Sequence, residues 1–208
     1  MIAKVKETFN RSPFFYVGDK FKLLPQLKKN FPDDINRFIE PFCGGGSVFL
    51  NVDANEYLLN DIDTYMIQLH EFLMSYSDDQ ENFWCELENY IKRYNLSATY
   101  MGRDVPQDLR KEFVKTYFAK YNKEAYMNLR ADFNSNKDNM MLLYMLLIYG
   151  FNRMLRFNRK GDFNLPVGNV DFNQNVVNAL NTYFDYVKDK EIEFYNMDFQ
   201  DFVNQIEP

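Results

Sequence analysis

The chain of 208 residues has two cysteines, one histidine and one tryptophan, and each shortage closes off a class of protein. Cys43 and Cys85 are too few for a disulfide framework, so free thiols in a reducing, cytoplasmic setting are expected. His70 alone cannot build a histidine metal cage, and no metal site is visible. On a helix with Ile67, Leu69 and Leu73 it reads as packed or solvated rather than as a catalytic base. Long apolar runs are also missing. Met140 to Ile148 falls well below the ~18 residues a membrane helix requires, so it reads as a buried helix and no membrane partner is expected. Met1 to Ser12 is polar and charged, unlike a secretory signal. Excess positive charge is absent too: Lys and Arg number 24 against 30 Asp and Glu, a net charge of -6. Attraction to a polyanion would need a local face rather than the overall charge.

What the chain does have is a glycine cluster in a telling context. Phe38-Ile39-Glu40-Pro41-Phe42-Cys43-Gly44-Gly45-Gly46-Ser47-Val48 is followed by Leu58-Leu59-Asn60-Asp61-Ile62. That order predicts a strand, a glycine turn, a helix start and a second strand ending in acid. The glycines let the backbone double back and keep Cβ atoms out of a ligand's way, and Asp61, 21 residues after Glu40, sits where a carboxylate accepts ribose hydroxyls. Gly46 is followed by Ser47-Val48 with no lysine, which disfavours a triphosphate loop. The dinucleotide pattern fails as well, because its third glycine would fall at Phe49. An adenosine-bearing cofactor without phosphate remains, and S-adenosylmethionine is the common one. Lys20, in Tyr16-Val17-Gly18-Asp19-Lys20, can neutralise its carboxylate while Tyr16 covers the sulfonium or the amino-acid tail. The plain alternative is an ordinary glycine turn with a solvated lysine nearby.

These blocks resemble the Dam-like (D12 class) DNA adenine-N6 methyltransferases, whose first motifs read W/Y-x-G-x-K, D/E-x-F-x-G-G/A-G-S-V and A/N-D-I. The similarity continues through Tyr126-Met127-Asn128-Leu129-Arg130 with Phe133-Asn134, through Tyr149-Gly150-Phe151-Asn152-Arg153-Met154-Leu155-Arg156-Phe157-Asn158, and through Gly161-Asp162-Phe163-Asn164-Leu165-Pro166-Val167-Gly168. Val167 stands where the family has Phe, Tyr16 where Trp is usual, and Arg153 where a small residue is common. The resemblance implies an S-adenosylmethionine site at Tyr16, Lys20, Glu40, Phe42, Gly44, Gly45, Gly46, Ser47, Asp61, Asp198 and Phe199. It implies contacts to double-stranded DNA, at GATC or a related site, from Asn152, Arg153, Met154, Arg156, Asn158 and Arg159. Arg156 matches the guanine-reading arginine and Met154 the hydrophobic wedge. Arg153, Arg156, Arg159 and Lys160 also form the local basic face that the net charge demands, although short basic runs are usually solvated surface. The family's catalytic D-P-P-Y occurs nowhere in the 208 residues. A chain that binds without methylating efficiently, truncated relative to the family, is therefore expected. A DNA-binding relic of the family and a small-molecule adenosine-binding protein are the alternatives, and the Arg156 block argues against the last.

For the fold, strands are expected at Arg37 to Pro41, Tyr57 to Asn60 and Glu191 to Asn196. Helices are expected from Asp63 to Tyr76, Asn82 to Tyr94 and Leu109 to Leu129, the last burying Phe113, Tyr117, Phe118 and Tyr121, with a loop over 96–107. The reading is an α/β Rossmann-like methyltransferase sheet, incomplete in its C-terminal half, with an all-helical DNA-recognition insertion. Residues 1–62 begin the cofactor-binding domain, 63–185 form the insertion and 186–208 return with a third strand. Such a sheet would leave the glycine-loop strand an unpaired edge, open to association.

Overall fold

Tyr57, Leu58 and Leu59 follow one another without a polar break, the pattern of a strand covered on both faces. They form the middle of a parallel sheet. The computed structural model describes residues 8–206, so expectations for the first residues of the chain and for Glu207–Pro208 lie outside the described residues. Among those described, the sheet has the order β1 (Arg37–Glu40), β2 (Glu56–Asn60), β3 (Glu191–Tyr195). Ile39 pairs with Leu58 and Leu58 with Glu193. β2 is buried from Tyr57 to Asn60, whereas among the described residues β1 pairs only with β2.

The helices are α1 (Leu24–Leu27), α2 (Thr64–Met74), α3 (Gln80–Tyr94), α4 (Gln107–Glu112), α5 (Tyr117–Ser135), α6 (Met140–Tyr149), α7 (Gln174–Val187) and α8 (Phe199–Gln205). Most begin on a side chain that satisfies the free amides of the first turn. Asp63 accepts from Tyr65 and Met66, Asn139 from Leu142, and Asn173 from Asn175 and Val176. α6 is buried from Met141 to Tyr149, and none of the described helices is long and apolar enough to cross a membrane. Its tyrosines still find partners: Tyr144 donates to Pro13 O and Tyr149 to Ser97 O. One contiguous apolar core joins sheet residues Tyr57 and Leu59 to Leu69, Leu87, Leu129, Leu146 and Leu180 of the helices. The chain is thus a mixed α/β protein in which the helical middle shares its core with the sheet.

Two expectations are corrected. The helix expected over 109–129 breaks between α4 and α5, with Phe113 at φ -115°, ψ 50°. α5 then starts on a cap from far away in sequence, as Asn169 Oδ1 accepts from Phe118 N (3.0 Å) and Ala119 N (3.2 Å). Its core face is Asn122, Ala125, Tyr126, Leu129 and Phe133, leaving Phe113, Tyr117, Phe118 and Tyr121 only half-buried. The second correction concerns the glycine turn, which leads into a single 3-10 turn at Phe49–Asn51 rather than a helix. Tyr186 Oη donates to Phe49 O (2.8 Å) and Tyr57 Oη to Val52 O (2.7 Å). Phe49 O also accepts from Val52 N (3.2 Å), so the turn closes in the tighter 3-10 register and Val52 leaves it in extended backbone.

Candidate functional site

The three strands deliver their C-terminal ends to one rim, and the site grows from how that rim is stitched. Asn60, buried at the end of β2, donates from Nδ2 to Pro41 O (3.1 Å) and Met197 O (3.0 Å), and its Oδ1 accepts from Met197 N (3.1 Å). One amide therefore joins the exits of all three strands. The next residue, Asp61, clamps the glycine turn: Oδ2 accepts from Gly44 N (2.8 Å) and Oδ1 from Asp63 N (3.0 Å).

The turn is braced from behind by residues that carry no motif. His70 is fully buried, and its Nε2 meets Gly44 O at 2.8 Å while Nδ1 lies 3.3 Å from Tyr183 Oη. A carbonyl can only accept, so Nε2 carries the proton. Burial lowers the His70 pKa to about 4, outweighing the Gly44 hydrogen bond and the nearby Asp61 charge, and the ring stays neutral and in this tautomer at neutral pH. Ser12, also buried, donates to Gly45 O. A Cβ on Gly45 would stand 3.1 Å from Tyr16 Cβ and 3.4 Å from Ser12 Oγ, so the turn and the Tyr16 segment touch as closely as glycine permits.

Tyr16, Lys20, Glu40, Phe42, Gly44, Gly45, Ser47 and Asp61 line one cleft of about 150 Å3, with Asp19 and Cys43 also in its wall. Gly46 lies behind it, packed on Phe49 and His70. Asp198 and Phe199 stand outside the cleft. Asp198 caps α8 by accepting from Gln200 N (2.8 Å), and the exposed Phe199 ring lies 5.1 Å from the exposed Phe42 ring at the cleft's mouth.

The charges in the cleft are unevenly satisfied. Asp19 pairs with Arg11 (3.0 Å), and Lys20 Nζ donates to Phe42 O at 3.2 Å. Glu40 is 8% exposed, and its Oε2 has no hydrogen-bond partner. Burial raises its pKa to about 8, against the pull of Lys20. A buried, unpartnered carboxyl oxygen is costly unless a donor reaches it. The cleft thus suits a ligand that brings a cationic donor to Glu40, an anion to Lys20 and hydroxyls to Asp61.

A second cluster sits on a hairpin over residues 150–167, held by bridges Gly150 to Val167 and Phe157 to Phe163. Arg156 is exposed and grips its own hairpin, with Nε donating to Asn164 Oδ1 (2.9 Å) and Nη2 to Asn164 O (2.6 Å). Asn158 closes the tip by accepting from Lys160 N and Asp162 N, and Arg159 beside it is exposed. Asn152 is exposed and Met154 half-buried, while Phe151 is 52% exposed. Arg153 points the other way, its guanidinium 4.3 Å from the centre of the Phe15 ring. Its carbonyl accepts from Val17 N (3.4 Å). Phe15, Asn152 and Arg153 all adopt left-handed backbone, with φ of 47°, 53° and 50°. The hairpin is thus tied to the Tyr16–Lys20 segment that walls the cleft.

Sequence reasoning gave no site role to Ser12, to His70, which it read as packed or solvated, or to Asn60 and Phe151, which stand within family-like blocks. The first three act through backbone groups of the turn and of the strand exits, a role no motif spacing reveals. Phe151 stands within the Tyr149-to-Asn158 block, and its signal there is an aromatic flanked by glycine and asparagine.

Residues 16–208 match the family described as D12 class N6 adenine-specific DNA methyltransferase. The chain is 29% identical over 197 residues to the type II methyltransferase M.FokI of Planomicrobium okeanokoites, covering 94% of this chain and 27% of that protein. Identity to the modification methylase StsI of Streptococcus sanguinis is 28% over 194 residues, 92% of this chain and 26% of that one. Identity to the DNA adenine methylase of Escherichia coli strain K12 is 31% over 162 residues, 76% of this chain and 48% of that one. The chain therefore spans between about a quarter and about half the length of these relatives. With the family match running from the Tyr16 segment to the end of the sequence, the chain belongs to the D12 class N6 adenine-specific DNA methyltransferases.

Proposed function

We propose that this chain holds S-adenosylmethionine and a DNA duplex for methyl transfer to adenine N6, in a short site for which GATC is the first candidate. The observation that carries the reading is the convergence of Lys20, Glu40, Asp61 and the glycine turn on one cleft. Bound there, S-adenosylmethionine supplies an electrophilic methyl on a sulfonium. Glu40 Oε2 takes the ammonium, Lys20 the carboxylate and Asp61 the ribose hydroxyls. The cleft is smaller than the ~300–1,000 Å3 usual for ligand pockets, so the adenine extends past its mouth onto Phe42 and Phe199. Flipping the target base out of the duplex costs a few kcal/mol. Phe151, more exposed than Met154, is the better-placed wedge. In the family resemblance, transfer itself requires the D-P-P-Y tetrapeptide. On this reading the 208 residues supply binding, within a modification system like those that the relatives' names describe.

Calorimetry with S-adenosylmethionine tests the donor site. Asp61→Ala is expected to abolish measurable binding, and Asp61→Asn, which keeps an acceptor for Gly44 N–H, to weaken it less. Equal affinity in all three chains would sink the assignment.

The DNA reading has its own test in duplexes that differ at single base pairs. Arg156→Ala is expected to erase discrimination at one position, worth ~1–3 kcal/mol for an arginine forked onto guanine. Arg159→Ala should weaken every duplex about equally. In binding assays, a uniform loss from both substitutions would contradict the roles given to them.

A further inference from the structure

The α4–α5 corner gathers charge that neither proposed site uses. Residues 110–123 hold five cations, Arg110, Lys111, Lys115, Lys120 and Lys123, and one acid, Glu112, in a chain whose net charge is -6. Arg110 is occupied by Asp104. Lys111, Lys115, Lys120 and Lys123 are all exposed, and none makes an ion pair among the described residues. Aromatic rings hold part of this cluster. Lys120 Nζ lies 4.9 Å from the Phe113 ring and the Arg110 guanidinium 5.0 Å from Tyr117. Val114, at the break between the helices, is 69% exposed.

Position gives the cluster its meaning. Asn169 caps α5 through Phe118 N and Ala119 N and donates to Lys115 O (2.8 Å). The neighbouring Gly168 N donates to Tyr149 O (2.8 Å), and Val167 bridges to Gly150. Lys115 therefore stands beside the base of the hairpin, where Phe151 emerges, with Lys111 on α4 before it and Lys120 and Lys123 on the first turns of α5 after it. From there α5 runs along the returning hairpin strand, meeting it again at Arg130 to Leu165 O and Asn134 to Phe163 O, and Lys137, just past the helix, reaches Asp162.

We propose that Lys111, Lys115, Lys120 and Lys123 form a second DNA-contacting face that engages backbone phosphates of the duplex flanking the target site. The inference rests on the DNA reading above. Lysine ammoniums are mobile point charges suited to phosphate oxygens and carry no base code, so this face should add affinity and length dependence without adding sequence preference. Its continuity with the hairpin favours duplex over any unrelated acidic partner.

The test is a salt series of DNA binding by fluorescence anisotropy, using the 208-residue chain and a variant with all four lysines changed to alanine. Mixed-sequence duplexes of about one and about three helical turns (~10 and ~30 base pairs) serve as probes. On the longer duplex the slope of log K against log salt should shrink by about 0.9 for each phosphate that the variant no longer neutralises. The loss should be the same for GATC-containing and GATC-free sequences and absent on the shorter duplex. A control variant, Lys92→Ala with Lys188→Ala, removes charge elsewhere and should leave the slope unchanged. Equal slopes for the four-lysine variant and the unsubstituted chain, or a loss matched by the control, would overturn the proposal. So would a loss seen only with anionic phospholipid vesicles. Failure of the unsubstituted chain to bind any duplex refutes the DNA reading and this face together, whereas site-selective binding untouched by the four substitutions refutes the face alone.

Discussion

Gly46→Ala should lower the melting temperature of the chain by about 6–12 °C, the shift that ~3 kcal/mol produces in a protein of this size. Two costs add. Gly46 has φ +79°, and a Cβ there would stand 2.8 Å from His70 Cε1 and 3.2 Å from Phe49 Cδ1. The left-handed backbone costs ~1–2 kcal/mol for a residue with a Cβ, and inserting a methyl into filled space typically costs ~1–3 kcal/mol. Neither ring can yield cheaply. His70 and Phe49 are fully buried, their centroids lie 5.7 Å apart, and His70 also packs against Phe14 at 4.6 Å. Gly102→Ala separates the two costs, because Gly102 has φ +71° and a methyl there would meet nothing within 4 Å. Scanning calorimetry of the pair decides the matter: a Gly46→Ala loss no larger than that of Gly102→Ala would mean that the aromatic nest behind the turn is softer than described.

The second large effect is a pH dependence centred on Glu40. Its pKa in the folded chain is about 8 against an ordinary value of 4.5, so between those values the folded chain keeps a proton that the unfolded chain has lost. Stability contributed by this group is complete below pH ~4.5 and lost as pH rises through about 8, a fall on the order of 5 kcal/mol. His70 works in the other direction. With its pKa lowered from 6.5 to about 4, its contribution is present above pH 6.5 and lost as pH falls through 4. Glu40→Gln should therefore gain stability relative to the unsubstituted chain as pH rises from 5 to 8, measured by urea denaturation at each pH.

A ligand ammonium reverses the preference, because it needs the carboxylate ionised. Below the ~7.7–8.0 at which an α-amino group itself titrates, affinity for S-adenosylmethionine should rise with pH by up to about tenfold per unit. Binding near pH 7 should then release close to one proton, visible as a buffer-dependent calorimetric enthalpy. Flat affinity between pH 6 and 7.5, with no proton released, would remove Glu40 from the ammonium site.

Parts of this fold were legible because local patterns and burial agree. The apolar runs at 37–40, 56–60 and 191–195 sit between turn or charged residues and became strands. The dense run at Met140 became the buried helix α6. The α4–α5 break was not legible, since the cap that starts α5 comes from Asn169, about fifty residues downstream. Nor was the single 3-10 turn after the glycines, which is anchored at Phe49 O by Tyr186 from a helix more than a hundred residues away. In the site, residue types at motif spacing pointed to Tyr16, Lys20, Glu40 and Asp61, which the fold gathers in one cleft. The direction of Arg153, turned onto Phe15, goes with left-handed backbone at Phe15, Asn152 and Arg153 that a sequence does not announce.

Asn60 has a consequence for affinity that reaches beyond its own hydrogen bonds. By gripping Pro41 O and both backbone groups of Met197, it sets the spacing between the chain that leads to Phe42 and the chain that leads to Phe199. The width between those two rings is thus decided during folding rather than at the moment of capture. The two ring centroids lie 5.1 Å apart and the rings already touch, so a flat ring lies against their exposed faces rather than between them, and less conformational entropy remains to be lost when it does.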